Sequence, residues 1–382
     1  MTPLTLHERI QNSQRTALTV GIIALAACIA GAARMPAQFY QSYLMAFIFW
    51  IGLSLGCLAV LMTHHLCGGR WGFPIRRLLE AGSQTIPLML VLFVPILFGM
   101  RVLYVWARPE AVSLDPLLRH KQIYLNQPFF IIRTVLYFAC WLWLVWMLDR
   151  AAMKQDRAPG PPAAKRLAAI GAGGLVLYTL TMTFAVVDWA MSLEPHWYST
   201  IYGVLFLAGQ ALTGFAFVIV VLALLMNKPP LSEATEPLNL HDLGNFLLTF
   251  VIFWAYIAFA QFLIIWSGNL AEEIPWYVKR FAGSWKWYAL GLVVLHFFVP
   301  FFLLLMRELK RRRDPLAWIA VLVFIMCIAD VIWEVSPAFN PEGFSLHWMD
   351  ILALVGIGAL WLAMFLRRLK SRSLLPLHDA RL

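Results

Sequence analysis

The chain has 382 residues, of which 61% are apolar and only 13% are charged. A soluble domain is about 45–50% apolar and about 25% charged, so this composition excludes an ordinary soluble protein. The net charge of +10 lies in short links between apolar runs, where it reflects membrane orientation and does not indicate nucleic-acid binding.

Ten runs are long and apolar enough to cross a bilayer, since a spanning helix needs about 20 mostly apolar residues. A transmembrane barrel would instead show alternating segments of about ten residues. We predict an all-α integral membrane protein, forming a single polytopic membrane domain over 1–382. The predicted spans are 17–33, 43–63, 86–106, 129–148, 168–188, 201–226, 244–266, 287–306, 316–334 and 348–366.

The first predicted span, 17–33, follows Arg9 and Arg15 and resembles a signal peptide as well as a membrane helix. Its tetrapeptide LAAC, Leu25 to Cys28, also resembles a lipoprotein cleavage site. A signal peptide would be removed, whereas an uncleaved helix would remain as the first span. We expect an uncleaved first helix.

The links between the spans differ in charge. Of the 30 Lys and Arg residues, 21 lie on the side of the two termini, which places both termini in the cytoplasm. The links 188–203 and 333–348 then face outward, and both are acidic and aromatic without any Lys or Arg. On the cytoplasmic side, the Pro- and Gly-containing link 154–166 predicts a flexible connector.

The sequence shows no ligand pattern of a bound metal or redox cofactor. Its five Cys form no CxxC pair, which argues against an iron–sulfur cluster, a zinc site, a c-type haem and a disulfide framework. His296 is the only His well inside a span, so a b-type haem would lack facing ligands. His64 and His65 point about 100° apart on a helix, which makes them poor ligands for one metal. We predict no metal and no cofactor in this chain.

Four ionisable side chains in the spans are candidates for a proton pathway, because such groups are costly in a bilayer and commonly functional. They are His296, in the eighth predicted span, Asp330 and Glu334, which lie four residues apart and therefore share one face of the ninth, and Asp350. The outward link is expected to bring the three carboxyl groups together, so that they influence one another's protonation. The structural alternatives are a His296 that hydrogen-bonds a neighbouring helix, a Glu334 in water, and Asp side chains that cap helices or form pairs.

The link 188–203 and the helix after it hold a second group of candidates, for quinone binding or docking at the outer face. Interfacial aromatic residues and helix caps explain most of this link, but not its Asp, Glu and His together. Gln210 and Gln261 could hydrogen-bond a quinone carbonyl, although such side chains more often join helices. The outer-face candidates are Asp188, Glu194, His196, Trp197 and Gln210.

Three segments carry a family resemblance: VDWAMSLEPHWYSTIYGVLFLAGQ at 187–210, FVIFWAYIAFAQFLIIWSGNLAEEIPWYVKR at 250–280, and HHLCGGRWGFPIRRLLEAG at 64–82. They resemble the F subunit of bacterial alternative complex III, a relative of the NrfD-like polysulfide-reductase membrane proteins. The third segment is shared more widely with the sister C subunit, which the resemblance implies to carry the main quinol site. Where the family often has Ser-Gln-Tyr, this chain has Ala260, Gln261 and Phe262, which weakens a polar path along that helix.

The resemblance implies ten helices, which agrees with the number of predicted spans. Two four-helix bundles are expected at about 43–188 and 201–334, flanked by 17–33 and 348–366. It also implies a bacterial inner-membrane subunit, without its own redox centre, of a quinol:electron-acceptor oxidoreductase. This subunit would be a platform for outer haem and iron–sulfur subunits and would offer a proton route.

The implied partners are the NrfD-like C subunit, the iron–sulfur B subunit, the c-type haem subunits, small membrane subunits and membrane lipid. Haem c and iron–sulfur clusters are expected in those partners, with quinone or lipid bound to this chain. Two alternatives are a quinol-binding and quinol-oxidising anchor in its own right and a secondary transporter. Transporters commonly contain broken helices near mid-membrane, but no paired pattern of this kind is visible here.

Overall fold

The structure is a computed structural model, and it describes residues 6–158, 160–234 and 236–375. Arg381, one of the basic residues on the side of the termini, lies outside the described residues. The described chain is helical, and no strand occurs in it. The predicted all-α class is therefore confirmed.

Within the described residues, ten helices are long and apolar enough to cross a membrane, which confirms the predicted number. We number them α1 to α10: α1 (Leu6–Ala32), α2 (Pro36–Cys67), α3 (Arg76–Phe98), α4 (Gln127–Arg157), α5 (Pro161–Leu193), α6 (Tyr202–Leu225), α7 (Pro237–Gly268), α8 (Trp285–Leu305), α9 (Arg313–Ala338) and α10 (Trp348–Leu369).

The prediction for the third span, 86–106, was wrong at both ends. The helix begins at Arg76 because this charged segment forms ion pairs within itself, including Arg76 Nε to Glu80 Oε1 at 3.0 Å. It ends at Phe98, where Pro95 inside the helix and the following Gly99 interrupt the hydrogen-bond ladder.

The predicted flexible connector 154–166 is also helical on both sides. α4 continues to Arg157, and α5 begins at Pro161, where a proline fits the first turn because its missing N–H would have no helical partner. The connection is therefore only residues 158–160, of which Pro159 lies outside the described residues.

α2 lies at the centre of the molecule and is buried along almost its whole length, whereas α1 and α8 expose most of their surface. α2 packs against α3, α5, α6 and α10, and α10 pairs with α1. α4 packs on α3 and α5. α6 packs on α7 and α9, and α8 contacts both α7 and α9. The two halves of the chain meet where α2 packs on α6.

Glycines allow α2 and α6 to approach closely at this crossing. A Cβ on Gly56 would lie 1.8 Å from the carbonyl oxygen of Gln210, and a Cβ on Gly214 would lie 2.7 Å from the backbone nitrogen of Cys57. Small residues let helix backbones pack closely in membranes, where van der Waals contact drives association. The contact between the two halves therefore depends on these glycines.

We expect Gly56→Ala to destabilise the protein by about 3 kcal/mol, because the new methyl group forces two backbones apart. Gly173→Ala is the matched control, since a Cβ there meets nothing within 4 Å and Ala favours helix over Gly by about 1 kcal/mol. Thermal unfolding in detergent would compare the two. Equal midpoints for the two variants would contradict the proposed role of the crossing.

The links between helices gather at two ends of the molecule. Lys121 Nζ donates to the carbonyl oxygen of Pro195 at one end, and Lys310 Nζ donates to Asn245 Oδ1 at the other, each at 2.6 Å. We call the first the Trp-rich end, formed by 99–126, 194–201, 269–284 and 339–347. The described residues that form the Arg-rich end are 68–75, 158, 160, 226–234, 236, 306–312 and 370–375.

Candidate functional site

A large cavity lies between α7, α8 and α9 and has a volume of about 680 Å³. We call it the α7–α9 cavity. The short helix Ile274–Arg280 closes it at the Trp-rich end. Its walls are mostly aromatic and aliphatic, and the polar groups on them include Gln261, Asp330 and Glu334. The cavity is thus large and apolar, with buried carboxyl groups on one wall.

The α7–α9 cavity reaches the lateral surface of the molecule. Its walls include Tyr256 and Phe259 of α7, which are 66% and 61% exposed, and the exposed Val293 and Phe298 of α8. In a bilayer, these apolar side chains would face lipid. An apolar molecule dissolved in the membrane could therefore enter between α7 and α8 without crossing water.

A π-helical segment, Leu292–Phe298, forms one wall of the cavity and holds His296. Pro300 follows it; its ring clashes with a normal helical position of the carbonyl four residues earlier, so the turn before it widens. Such segments occur frequently at functional sites. The His296 ring is fully buried against Trp254, with ring centroids 4.0 Å apart, and its Nε2 lies 3.6 Å from Cys327 Sγ.

Asp330 and Glu334 lie on the same face of α9, as their spacing predicts, and both are buried. Trp254 Nε1 donates to Asp330 Oδ2 at 3.0 Å, so Trp254 links His296 to Asp330. Three of the four proton-pathway candidates therefore form one cluster beside the cavity.

Glu334 has an unpaired oxygen in this cluster. The buried Arg280 guanidinium donates to the backbone oxygen of Glu334 at 2.8 Å. In the part of the chain that the structure describes, no hydrogen-bond partner reaches Glu334 Oε2 or His296 Nδ1. A buried polar atom without a partner costs about 1–3 kcal/mol, which a ligand that donates hydrogen bonds would recover.

Tyr277 and Gln261 add polar groups at the closed end of the cavity. Gln261 Nε2 lies 3.5 Å from the Tyr277 hydroxyl, and Ser199 Oγ lies 3.4 Å from Gln261 Oε1. Burial raises the pKa of the Tyr277 hydroxyl above its ordinary value, so this group stays protonated. It can therefore donate a hydrogen bond across the pH range of the cell.

A second, small cavity of about 30 Å³ lies between α2, α6 and α9, and Asp330 and Glu334 line it as well. Its other walls include Gly52, Thr213 and Gln210. This volume is enough for a water molecule, which needs about 10–15 Å³. The two carboxyl groups therefore lie between the large apolar cavity and a small inner cavity that has a few polar groups on its wall.

Gln210 lies at this inner site and not at the outer face. It is 5% exposed, and its Oε1 accepts a hydrogen bond from the Tyr178 hydroxyl at 2.7 Å. Trp197 is also buried and stacks on Trp276, with ring centroids 4.7 Å apart, so it supports the wall of the α7–α9 cavity from behind.

Asp188 and Glu194 form ion pairs within the protein. Asp188 is fully buried and receives two hydrogen bonds from Arg133, at 2.7 and 2.8 Å, and one from the Tyr137 hydroxyl at 2.8 Å. Glu194 pairs with Lys279 and with Arg280, the latter at 3.0 Å. Neither carboxyl group is free to bind a partner, and the five outer-face candidates do not form one pocket.

His196 and Asp350 lie apart from the cavity. The exposed His196 pairs with Asp115 at 2.7 Å. Asp350 Oδ2 accepts from the backbone nitrogen of His347 at 2.8 Å, and its Oδ1 accepts from Ser42 Oγ of α2 at 2.5 Å. The expectation that Asp350 joins Asp330 and Glu334 was therefore wrong, because Asp350 caps α10 and faces α2.

A buried charge cluster at the Arg-rich end was missed in the sequence, although its segment supported the family resemblance. Arg77 donates to Glu80 at 2.6 Å and makes two hydrogen bonds with Asp156 of α4, while Arg372 reaches Asp149 at 2.7 Å. The spacing of three residues between Arg77 and Glu80 could have indicated an ion pair within one helix. The contacts with α4 and the tail could not be read from spacing.

The chain matches no protein-family model and no curated protein. Among the described residues, no group of three or more His, Cys, Asp or Glu side chains is arranged to hold a metal ion. The functional assignment therefore depends on the α7–α9 cavity, its polar groups and the sequence resemblance.

Proposed function

We propose that this protein is an integral membrane subunit of a quinol-oxidising electron-transfer complex of the alternative complex III type. We further propose that the α7–α9 cavity binds the quinol. The observation that carries the proposal is an apolar cavity of about 680 Å³ that opens laterally and has two buried carboxyl groups on its inner wall. The three family-like segments support the same assignment.

The cavity has the size and the chemistry that a lipid-soluble quinol requires. Small-molecule sites are commonly about 300–1,000 Å³ and mostly apolar, with a few polar groups that fix orientation. Aromatic walls suit a flat ring and an isoprenoid tail. The orphan oxygen of Glu334 can accept a hydrogen bond from a quinol hydroxyl, and the Tyr277 hydroxyl can donate one to a quinone carbonyl.

Oxidation of a quinol breaks two O–H bonds and releases two protons and two electrons. We assign the protons to Glu334 and Asp330, which line both cavities, and then to the small cavity beside Gln210 and Tyr178. The electrons would pass to an iron–sulfur cluster or a c-type haem of a partner subunit. Asp350 has no part in this route, because its oxygens are held at the start of α10.

The Trp-rich end suits a docking platform because hydrogen bonds connect its links. Glu194, in the link after α5, pairs with Lys279 and Arg280 in the link after α7. Arg280 also donates to the backbone oxygens of Trp333 and Glu334 at the end of α9. A rigid outer surface of this kind favours binding of extrinsic redox subunits, since little order must be gained on docking.

We propose the bacterial inner membrane as the location, with the Arg-rich end and both termini in the cytoplasm. We also propose that α2–α5 and α6–α9 are two four-helix bundles flanked by α1 and α10. The packing of α2 on α3 and α5, and of α6 on α7 and α9, supports this grouping.

Purification through an affinity tag on this chain tests membership of the complex. We expect c-type haem bands in a reduced-minus-oxidised spectrum, together with co-purifying iron–sulfur, haem and NrfD-like subunits. A colourless protein without partners would contradict the assignment and would favour the secondary transporter.

Ala258→Phe tests the cavity itself, because Ala258 lines it on α7. Overpacking costs about 1–3 kcal/mol, so we expect the KM for quinol to rise about tenfold. The control is Ala169→Phe, which adds the same side chain at an exposed position of α5. Steady-state quinol oxidation by the purified complex measures both variants. An unchanged KM in Ala258→Phe would place the quinol elsewhere.

A further inference from the structure

A cationic pocket of about 320 Å³ lies on the exposed sides of α4 and α5, near the Arg-rich end. Its charged walls are Arg150, Lys154 and Arg157 of α4 and Arg166 of α5, and all four side chains are exposed. The Arg150 guanidinium stacks over the Trp146 ring at 4.0 Å, which orients it at the mouth. Among the described residues, the lining of the pocket contains no carboxyl group.

The pocket is positively charged because the acidic residues of the same turns of α4 point away from it. The same turns of α4 contain Asp149 and Asp156, which could have neutralised it. Both face inward, where Asp156 accepts two hydrogen bonds from Arg77, at 2.6 and 2.7 Å, and Asp149 accepts one from Arg372 at 2.7 Å. The two half-buried acids of this segment thus pair with other cations of the protein, and the four cations of the pocket remain exposed.

An apolar stripe of α4 leads directly into the pocket. Ile132, Leu136, Trp143 and Trp146 are each 50% exposed or more, and their helical spacing places them on the face that continues to Arg150. In a bilayer, such a stripe contacts acyl chains, and the cations beyond it lie at the headgroup level. The surface therefore presents an apolar strip that ends in four positive charges.

We infer that this pocket binds an anionic phospholipid, with its phosphate oxygens between the four cations and its acyl chains along the stripe of α4. Guanidinium groups match phosphate because they donate two parallel hydrogen bonds. Four cations match a headgroup with two phosphodiester groups better than a headgroup with one. Basic pockets between membrane helices on the cytoplasmic side suit such lipids.

Native mass spectrometry of the detergent-purified protein, titrated with cardiolipin and with phosphatidylcholine, tests the inference. We expect cardiolipin to bind selectively, and Arg150→Gln with Arg157→Gln to weaken its binding about 25-fold, since each interfacial Arg contributes about fivefold. The control is Arg311→Gln with Arg312→Gln, which removes the same charge from exposed positions of the same end outside the pocket. This control is expected to retain wild-type affinity.

Three results would overturn the inference. They are equal cardiolipin binding by the pocket variant and the wild type, equal losses in the pocket and control variants, and displacement of cardiolipin by millimolar inorganic phosphate. The last result would identify a site for a free anion. Circular dichroism checks that the variants are folded, and Arg166→Gln, on the other helix, provides a second variant with the same expected direction.

Discussion

Glu334→Gln is expected to reduce quinol-dependent electron transfer by about 100-fold, while the protein remains folded and assembled. The amide keeps the size of the carboxyl group but cannot accept a proton, and positioned proton acceptors contribute about 10²–10⁴-fold to such reactions. Asp330→Asn should give a loss in the same direction, since its amide oxygen can still accept the Trp254 hydrogen bond. Turnover of the purified complex with a soluble quinol is the measurement.

Glu342→Gln is the matched control for this prediction. Glu342 is an exposed carboxyl group at the same Trp-rich end and lines neither cavity. Its variant should turn over quinol at the wild-type rate. If Glu334→Gln and Asp330→Asn also kept that rate, the proposed proton acceptors would be wrong even if the cavity binds quinol.

Asp188→Ala is expected to destabilise the protein by about 3–5 kcal/mol, because it leaves the buried Arg133 without a counter-ion. Arg133 is 7% exposed and lies over the rings of Tyr124 and Phe129, at 3.8 and 4.2 Å, so its charge has little access to water. Thermal unfolding in detergent should show the loss as a large drop in midpoint.

The control for the buried pair is Asp314→Ala, which breaks an exposed pair with Arg313. Exposed pairs contribute about 0–1 kcal/mol, so this variant should unfold close to the wild type. A second variant, Arg133→Met with Asp188→Leu, should recover much of the lost stability, because no unpaired charge remains buried. Equal stability of Asp188→Ala and Asp314→Ala would show that the ion pair does not hold α4 to α5.

Hydropathy was sufficient to predict the number of long helices, because every apolar run of bilayer length became one. It failed at helix ends that contain charge. Arg76 and Asp156 were assigned to links because isolated charges are costly in apolar surroundings, yet each has ion-pair or hydrogen-bond partners in the folded protein. Such partners come from distant parts of the chain, so spacing within one helix does not reveal them.

The candidate site was predictable only in part. Asp330 and Glu334 could be placed on one face because four residues complete about one helical turn. His296 could be placed well within a membrane span from hydropathy alone. The cavity beside them depends on how α7, α8 and α9 pack, and on the link helix Ile274–Arg280 that closes it, so no local pattern indicated it.

For the outer-face candidates, sequence reasoning predicted one shared site that the structure does not contain. Asp188, Glu194 and His196 are close in sequence, which suggested one site. Their side chains contact different elements: Asp188 binds α4, Glu194 binds the link after α7, and His196 binds the link after α3. Residues that are close together in an irregular link can point their side chains in different directions, so closeness in sequence did not predict a shared site. The proposed quinol site is the α7–α9 cavity instead.

The most direct test of the quinol site is photo-crosslinking of the purified complex with an azido-quinone, followed by peptide mapping. We predict adducts on residues 252–262 of α7 or 289–298 of α8, and their loss in Ala258→Phe but not in Ala169→Phe. Adducts confined to the α2–α5 half of this chain, or to another subunit, would contradict the proposal that the α7–α9 cavity binds the quinol.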